Sequence, residues 1–311
     1  MADGYSCHRF NLLFSACVKH VYEGKARKRQ FEAQFTNASL RGLPLNEEEL
    51  RTSLSDLHGL SNVTVEQSPQ PLRALYFRIP QESVVALKKE LNTLPSSTNY
   101  ETTVAFLWRS MLKARTSLGH VKPSMTSTLH HAVNIRGKKS DGQAPVSYTG
   151  NALGHCRCDG VEISSLLAAD GLKTAASALR SSIDGTDIDQ VRKSLAGMIA
   201  LGPNSILFTI MRSRSTDFMV SSTQQLRNHE DYDFRFGFPQ GCIGAAAPWD
   251  GFVRIMPSPP GSGIACVLTV QETIADELQR EDEFSSHVTL LDAQPVGYGY
   301  MYKAAKRTAK L

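Results

Sequence analysis

The apolar residues of this chain alternate between helical and strand-like spacing, and this alternation restricts the fold more than any other feature. Apolar positions three or four residues apart predict helices at 9–22, 81–94, 102–114, 163–183, 188–200 and 272–280. Short runs of β-branched and aromatic residues predict strands at 75–80, 126–136, 217–222, 252–256 and 263–271. Because helices and strands are interleaved, we predict an α/β or α+β fold on a mixed sheet.

The composition is that of an ordinary globular protein. Hydrophobic residues make up 41% of the 311 residues, and 34 Lys and Arg against 30 Asp and Glu give a net charge of +4. That charge is too small and too dispersed to indicate a nucleic-acid partner, although it suits a small anionic ligand. No run approaches the roughly 18 apolar residues of a membrane span, so we expect a soluble intracellular monomer.

The cysteines offer little sign of a metal site. Six are present, and in a chain of this size without a secretory signal they are expected to be reduced thiols. Cys156 and Cys158 form the only close pair, and no second ligand pair lies near them in the sequence. We therefore expect no bound metal.

Five short motifs follow one another in a specific order. They are Asp3-Gly4 ahead of an amphipathic helix, AFLWRSMLKAR (105–115), AVNIRGK (132–138), YTGNAL (148–153) and DFRFG (233–237). In this order they resemble the BAHD acyltransferases, most closely the fungal branch that includes the trichothecene acetyltransferases. The resemblance covers nearly the whole chain.

The resemblance implies a two-domain architecture like chloramphenicol acetyltransferase, with a tunnel between the domains. By this resemblance 1–30 is a remnant of the first domain, 31–71 a crossover and 72–311 the second domain, so that most of the first domain is missing. The implied reaction is transfer of acetyl from acetyl-CoA to a hydroxyl of a fungal secondary metabolite, such as a terpenoid or polyketide mycotoxin. The partners are then the small-molecule acceptor and the acyl-CoA co-substrate, with no tightly bound cofactor.

The family motif H-x-x-x-D-G is present only as its tail, Asp3-Gly4. In the family, the motif His takes the proton of the acceptor hydroxyl, and here it would lie before Met1. A start codon placed too late would explain this and predicts an in-frame His codon upstream. The resemblance pairs Asp3 with Arg136, which would fix the loop; Asp3 as a helix cap is an alternative compatible with that pairing.

The motif DFRFG departs from the family's D-F-G-W-G. Asp233, Phe234 and Gly237 keep the structural positions, while Arg235 replaces the first Gly. If that position needs a positive φ, Arg235 is strained; otherwise its guanidinium could meet a coenzyme A phosphate or lie in solvent. By the same resemblance Ser221 and Ser222 lie near the tunnel, where a hydroxyl could donate to the oxyanion or to pantetheine, the alternative being a polar strand end.

A complete H-x-x-x-D-G also occurs, at His155–Gly160. This copy directly follows YTGNAL and lies much closer to DFRFG than in the family, and its position argues against a catalytic role. His155 is kept as a second candidate base; the alternative is an ordinary His in a strand or loop. His130 and His131 are adjacent in a predicted strand and should point to opposite faces.

Two other functional classes stay open at this point. The chain could be an inactive truncated remnant, or a module that binds coenzyme A or a small molecule without turnover. Its location is predicted to be the cytoplasm, or the peroxisome through Ala309-Lys310-Leu311, a near variant of the Ser-Lys-Leu address.

Overall fold

A computed structural model describes residues 4–23, 48, 70–91, 97–137, 146, 148–186, 191, 215–226, 232–235, 237, 239 and 244–296. In this part of the chain the helices are α1 Gly4–Tyr22, α2 Gln81–Glu90, α3 Asn99–Ser117, α4 Ile163–Leu167, α5 Gly171–Asp184, α6 Glu272–Arg280 and α7 Asp282–His287. The strands are β1 Leu72–Ile79, β2 Thr126–Asn134, β3 Leu153–Glu162, β4 Phe218–Ser222, β5 Phe252–Met256, β6 Ile264–Gln271 and β7 Thr289–Pro295.

The seven strands form one mixed sheet with the order β3-β2-β4-β5-β6-β1-β7. The pairs β2–β4 and β4–β5 are parallel, whereas the other four pairs are antiparallel. The predicted α/β class with a mixed sheet is therefore confirmed. None of the described helices is both long and apolar enough to cross a membrane.

The single helix predicted at 163–183 is wrong, because the chain forms α4 and α5 with a break between them. At Gly171, the first residue of α5, a Cβ atom would lie 2.0 Å from the carbonyl oxygen of Leu166. This close approach of the backbone requires glycine and marks the sharp turn between the helices. The helix predicted at 188–200 lies outside the described residues apart from 191.

Helices pack on one face of the sheet, which we call the helix-covered face. Leu75 and Phe77 of β1 and Val253 of β5 point to this face and join a single buried core. Each helix from α2 to α7 contributes to the same core, with residues such as Val84, Trp108, Leu166, Leu179, Leu278 and Phe284. Because side chains alternate along a strand, the intervening residues lie on the other face, which we call the second face.

A buried ion pair connects α3 to the loops that precede β4 and β5. The Arg115 guanidinium lies 2.9 Å from the Asp250 carboxylate and donates to the Asp217 carbonyl at 2.8 Å. The second oxygen of Asp250 accepts from the backbone N–H of Gln271 in β6 at 3.0 Å. The motif AFLWRSMLKAR thus ends in a residue that holds three parts of the domain together.

Candidate active site

Arg136, just beyond the end of β2, holds the first turn of α1 against the motif YTGNAL. Its side chain is buried. Nε donates to the carbonyl of Tyr148 at 2.9 Å, and one Nη donates to Oδ1 of Asn134 at 3.1 Å. The other Nη lies 3.1 Å from Oγ of Ser6 in α1. Three motifs that are distant in sequence therefore meet at one guanidinium.

Further contacts close this cluster. The Ser6 hydroxyl donates to the carbonyl of Gly150 at 2.9 Å, and Arg136 donates to the same carbonyl. The guanidinium also lies 4.8 Å from the centre of the Tyr5 ring and 5.7 Å from that of Tyr148, within the range of cation–π attraction. We call Tyr5, Ser6, Arg136, Tyr148 and Gly150 the Arg136 cluster.

The predicted partner of Arg136 cannot be placed, because Asp3 lies outside the described residues. The pairing of Asp3 with Arg136 therefore stays a prediction. Arg136 contacts the two residues Tyr5 and Ser6, which follow Gly4 directly in the sequence. Ser6 and Tyr5 were not recognised as site residues from the sequence, since neither belongs to the family motif.

The motif DFRFG packs against the C-terminal half of α1. Lys19 lies 3.1 Å from Oδ2 of Asp233, and the Phe234 ring lies 6.0 Å from the ring of Phe14. Oδ1 of Asp233 accepts from the backbone N–H of Arg235 at 2.9 Å. These contacts hold a helix and a loop together and are consistent with a structural role for Asp233 and Phe234.

Two donors lower the pKa of Asp233, first the backbone N–H of Arg235 and then Lys19. Because the carboxyl pKa is lower in the folded state, the ionised Asp233 stabilises the folded arrangement at pH values above its unfolded pKa of about 3.9. This stabilisation is lost as the pH falls through the pKa of the folded state. We expect amide exchange in the second half of α1, corrected for the intrinsic rate, to accelerate as the pH falls below about 4. Replacing Asp233 with Asn should remove this pH dependence, and an unchanged pH profile in that variant would contradict the assignment.

Arg235 has a left-handed backbone, with φ of 68°. Of the alternatives drawn from the sequence, the structure shows the strained one: the position that carries Gly in the family's motif needs a positive φ. The guanidinium lies 3.4 Å from the carboxylate of Glu23 and is partly exposed. Gly237, at the end of the motif, also has a positive φ, of 98°.

Replacing Arg235 with Gly should raise the free energy of unfolding by about 1 kcal/mol, because glycine adopts this backbone without the steric cost of a Cβ atom. Chemical denaturation measures the change. The Arg235→Ala variant is the control, since it loses the contact with Glu23 but keeps the Cβ. Equal stability of the Gly and Ala variants would show that the backbone is not strained.

Ser221 and Ser222 lie on opposite faces of β4. Phe218 and Val220 belong to the core, so the alternation places Ser221 on the second face, directly opposite Arg254 of β5. Ser222 is exposed at the strand end, and its Oγ accepts from the backbone N–H of Gln224 at 3.3 Å. Of the two serines, Ser221 faces the same side of the sheet as His155.

His155 lies in β3, with its side chain on the second face beside His130 of β2. Nε2 of His155 lies 3.3 Å from Nδ1 of His130, and Nε2 of His130 lies 3.8 Å from the carboxylate of Asp217. Burial, followed by the proximity of His130, lowers the pKa of His155 to about 3. The imidazole is therefore neutral at physiological pH, and a pKa this low makes it a weak general base.

The carboxylate of the literal motif does not orient His155. Asp159 is exposed and lies 3.0 Å from the guanidinium of Arg157. His131 points to the helix-covered face, where Nε2 lies 3.0 Å from Oγ of Ser182 in α5, which confirms that His130 and His131 face opposite sides. Within the described ranges, no group of three or more His, Cys, Asp or Glu side chains could hold a metal ion.

A second contact between α1 and the region of DFRFG was not anticipated from the sequence. Nδ1 of His8 lies 2.8 Å from the hydroxyl of Tyr232, and both side chains are buried. Tyr232 directly precedes the motif, but nothing in its sequence neighbourhood indicates a partner in α1. Together with Lys19, His8 attaches α1 to this segment at two points.

Comparison with known proteins supports the family assignment. The sequence model of the Transferase family matches residues 81–285. A search of curated proteins by sequence found no match. Among solved structures, TRI101 of F. sporotrichioides complexed with coenzyme A and T-2 is similar with 17% identity and a TM-score of 0.68. The match covers 93% of this chain and 65% of that one.

Two more structures show the same fold. TRI101 of F. graminearum complexed with coenzyme A and T-2 mycotoxin has 17% identity and a TM-score of 0.70, covering 93% of this chain and 64% of that one. Vinorine synthase has 18% identity and a TM-score of 0.65, covering 93% and 60%. The chain thus spans less than two thirds of the length of these three proteins.

Proposed function

Because this chain belongs to the Transferase family, that is, to the BAHD acyltransferases, we propose that it forms the larger part of a coenzyme-A-dependent O-acyltransferase. The Arg136 cluster carries the proposal. Arg136 joins the segment that follows the remnant of H-x-x-x-D-G to the motifs AVNIRGK and YTGNAL. The proton acceptor of an acyltransferase must be held in a defined place, so the loop that bears this residue has to be attached rigidly.

In the proposed reaction, the acceptor hydroxyl loses its proton to a general base as its oxygen attacks the thioester carbonyl. The C–S bond of the tetrahedral intermediate then breaks, so that the acyl group stays on the acceptor oxygen and the coenzyme A thiolate leaves and takes up the proton from the base. By the family resemblance, the base is the His of the motif, four residues before Asp3. Arg136 acts as a positioning residue, because its contacts are to the protein and fix the start of α1. Ser221 lies on the second face, and its hydroxyl is proposed to donate to the oxyanion or to pantetheine. Ser222 points to the helix-covered face.

The finer assignment is acetyl transfer from acetyl-CoA to a hydroxyl of a fungal secondary metabolite of the mycotoxin type. It is supported by the similarity to TRI101 structures that contain coenzyme A and T-2. The division into 1–30, 31–71 and 72–311 belongs to the same proposal. Residues 309–311 lie outside the described ranges, so the peroxisomal address stays a prediction.

Measuring coenzyme A binding and acetyl transfer on one preparation tests the proposal. We expect a preparation of the protein that includes the motif His to bind coenzyme A and to transfer labelled acetyl to a trichothecene with a free hydroxyl, and the 311-residue chain by itself to bind coenzyme A. Binding without transfer when the motif His is present would favour the module without turnover. Failure of both would favour the inactive remnant and would refute the proposed function.

A further inference from the structure

A row of side chains crosses the second face of the sheet at the level of Ser221. Ser221 is directly opposite Arg254 of β5, Arg254 is opposite Val267 of β6, and Val267 is opposite Tyr76 of β1. On the other side of Ser221, the pairing of His131 with Val220 places Ala132 next to Ser221, and Ala132 is opposite His155. Directly opposite residues point to the same face, so this row forms one continuous surface.

Arg254 stands out in this row because no described residue pairs with its charge. Its guanidinium lies 5.8 Å from the ring of Phe252, two residues earlier on the same face of β5. It forms no hydrogen bond or ion pair with any residue that the structure describes. By contrast, Arg73, Arg109 and Arg115 each contact a carboxylate.

A second arginine lies nearby on the same face. Arg78 of β1 is opposite Ala265 of β6, and Ala265 is opposite Met256 of β5, so Arg78 lies two strands across the sheet (about 10 Å) and two residues along the strands (about 7 Å) from Arg254. Its Nε is buried and has no hydrogen-bond partner among the described residues. Ala265 lies between Arg78 and Met256, and its small side chain leaves room for the long Arg78 side chain to extend over it toward Arg254.

The surroundings add donors but little negative charge. The hydroxyl of Thr269 and the indole N–H of Trp249 are both buried without a partner in the described part of the chain, and both lie beside Phe252. In the row itself the first carboxylate is that of Asp292 on the edge strand β7, opposite Tyr76. Its oxygens accept from Ala293 N–H and from the Gln294 side chain. No carboxylate of the described residues contacts Arg254 or Arg78, so the negative charge of a ligand can pair with them.

We propose that Arg254, assisted by Arg78, binds the carboxylate of the acceptor, so that the acceptor is a hydroxylated organic acid. This inference rests on the proposed function, because it takes Ser221 as a neighbour of the reacting group. A guanidinium binds a carboxylate through two parallel hydrogen bonds, which fixes orientation as well as position. Phe252 and Met256, on the same face of β5, are buried against Trp249 and Gly244 and form the apolar floor beside Arg254.

A phosphate of coenzyme A is a second anion that an arginine can bind, and the experiment distinguishes it from the carboxylate of the acceptor. The probes are 4-hydroxybenzoate, its neutral analogue 4-hydroxybenzamide, and coenzyme A, each titrated calorimetrically into the full 311-residue chain. We expect the acid to bind at least tenfold more tightly than the amide. The Arg254→Gln variant should remove this preference and leave the dissociation constant for coenzyme A unchanged, because the lost contact is a charge-assisted hydrogen bond to the acid.

The matched control is Arg280→Gln, which removes the same charge from an exposed position on α6 and should keep the preference for the acid. Thermal unfolding shows whether Arg254→Gln is folded, and Arg254→Lys, which keeps the charge but not the paired donors, should be intermediate. If Arg254→Gln leaves binding of the acid unchanged, or weakens coenzyme A alone, the assignment to the acceptor is refuted.

The same titrations distinguish this inference from the proposed function. If the wild-type chain binds coenzyme A and a preparation that includes the motif His acetylates a neutral trichothecene, but the acid is not preferred, the inference fails and the proposed function stands. If the chain prefers the acid through Arg254 but does not bind coenzyme A, the anion site stands and the acyltransferase assignment fails.

Discussion

Replacing Arg115 with Met is expected to lower the free energy of unfolding by about 3–5 kcal/mol, the typical cost of breaking a buried ion pair from one side. The Arg115 side chain is only 1% exposed and lies 2.9 Å from the carboxylate of Asp250. Its loss leaves that buried carboxylate with one donor among the described residues, the backbone N–H of Gln271. It also removes the hydrogen bond to the Asp217 carbonyl, so the loops before β4 and β5 both lose a contact to α3.

Chemical denaturation of the variant and two controls measures this effect. Arg280→Met removes an arginine that is 72% exposed and paired within its own helix, and should cost less than about 0.5 kcal/mol. The double variant Arg115→Met, Asp250→Asn removes both charges and should recover part of the lost stability. A loss below about 1 kcal/mol in Arg115→Met would mean that the pair does not hold these loops.

Replacing Arg136 with Leu is expected to release α1 from the rest of the domain. The variant loses donors to the carbonyls of Tyr148 and Gly150 and to Ser6, together with the contact to the Tyr5 ring. Only the hydrogen bond to Ser6 and the contact with the Tyr5 ring attach α1 directly to Arg136, so at roughly 1 kcal/mol each local opening becomes about 2 kcal/mol easier. Amide exchange in the first half of α1 should therefore accelerate about thirtyfold, since about 1.4 kcal/mol corresponds to a factor of ten.

Hydrogen exchange followed by mass spectrometry reports this release without any need for catalytic activity. Lys19→Met, which removes a contact at the far end of α1, is the control and should affect the first half of the helix much less. Arg136→Lys retains one charge and should give an intermediate rate. Unchanged exchange in Arg136→Leu would show that other contacts, such as that of His8 with Tyr232, hold α1 by themselves.

In a preparation that transfers acetyl groups, we expect the Arg136→Leu variant to lose about two orders of magnitude in kcat, because a small displacement of a catalytic loop has a cost of this size. A general loss of folding would lower the melting temperature as well. Loss of activity with an unchanged melting temperature is the result that identifies a positioning residue.

Most of the elements predicted correctly are those whose burial repeats along the chain: β4, β5, β6 and α6 each bury a regular set of apolar residues against the domain, and local spacing reveals them. α1 was predicted from the same kind of spacing, but its buried side chains include Ser6, His8 and Ser15, whereas Phe10, Phe14 and Val21 are 60%, 53% and 79% exposed. β7 was missed because all of its residues are exposed, which leaves no alternation to detect. The helix predicted at 163–183 was wrong because its break depends on the close approach of Gly171 to Leu166.

The candidate site divides in the same way. The order of short motifs was sufficient to indicate the family and to single out Arg136, Asp233 and Ser221. The sequence did not indicate that Arg136 contacts Ser6, which lies 130 positions away. Nor did it indicate that Arg254, a lone charge in the apolar run FVRIM, lies directly opposite Ser221.

The sequence by itself therefore determined the fold class, most helices and strands, and the family, because these depend on spacing between neighbours and on short motifs in order. The tertiary structure alone decided which side chains share a surface. A strand turns alternate residues to opposite faces, and the face that receives a ligand is set by pairing with strands far away in the chain. That is why Arg254 gained a candidate role only once β4, β5, β6 and β1 were seen side by side.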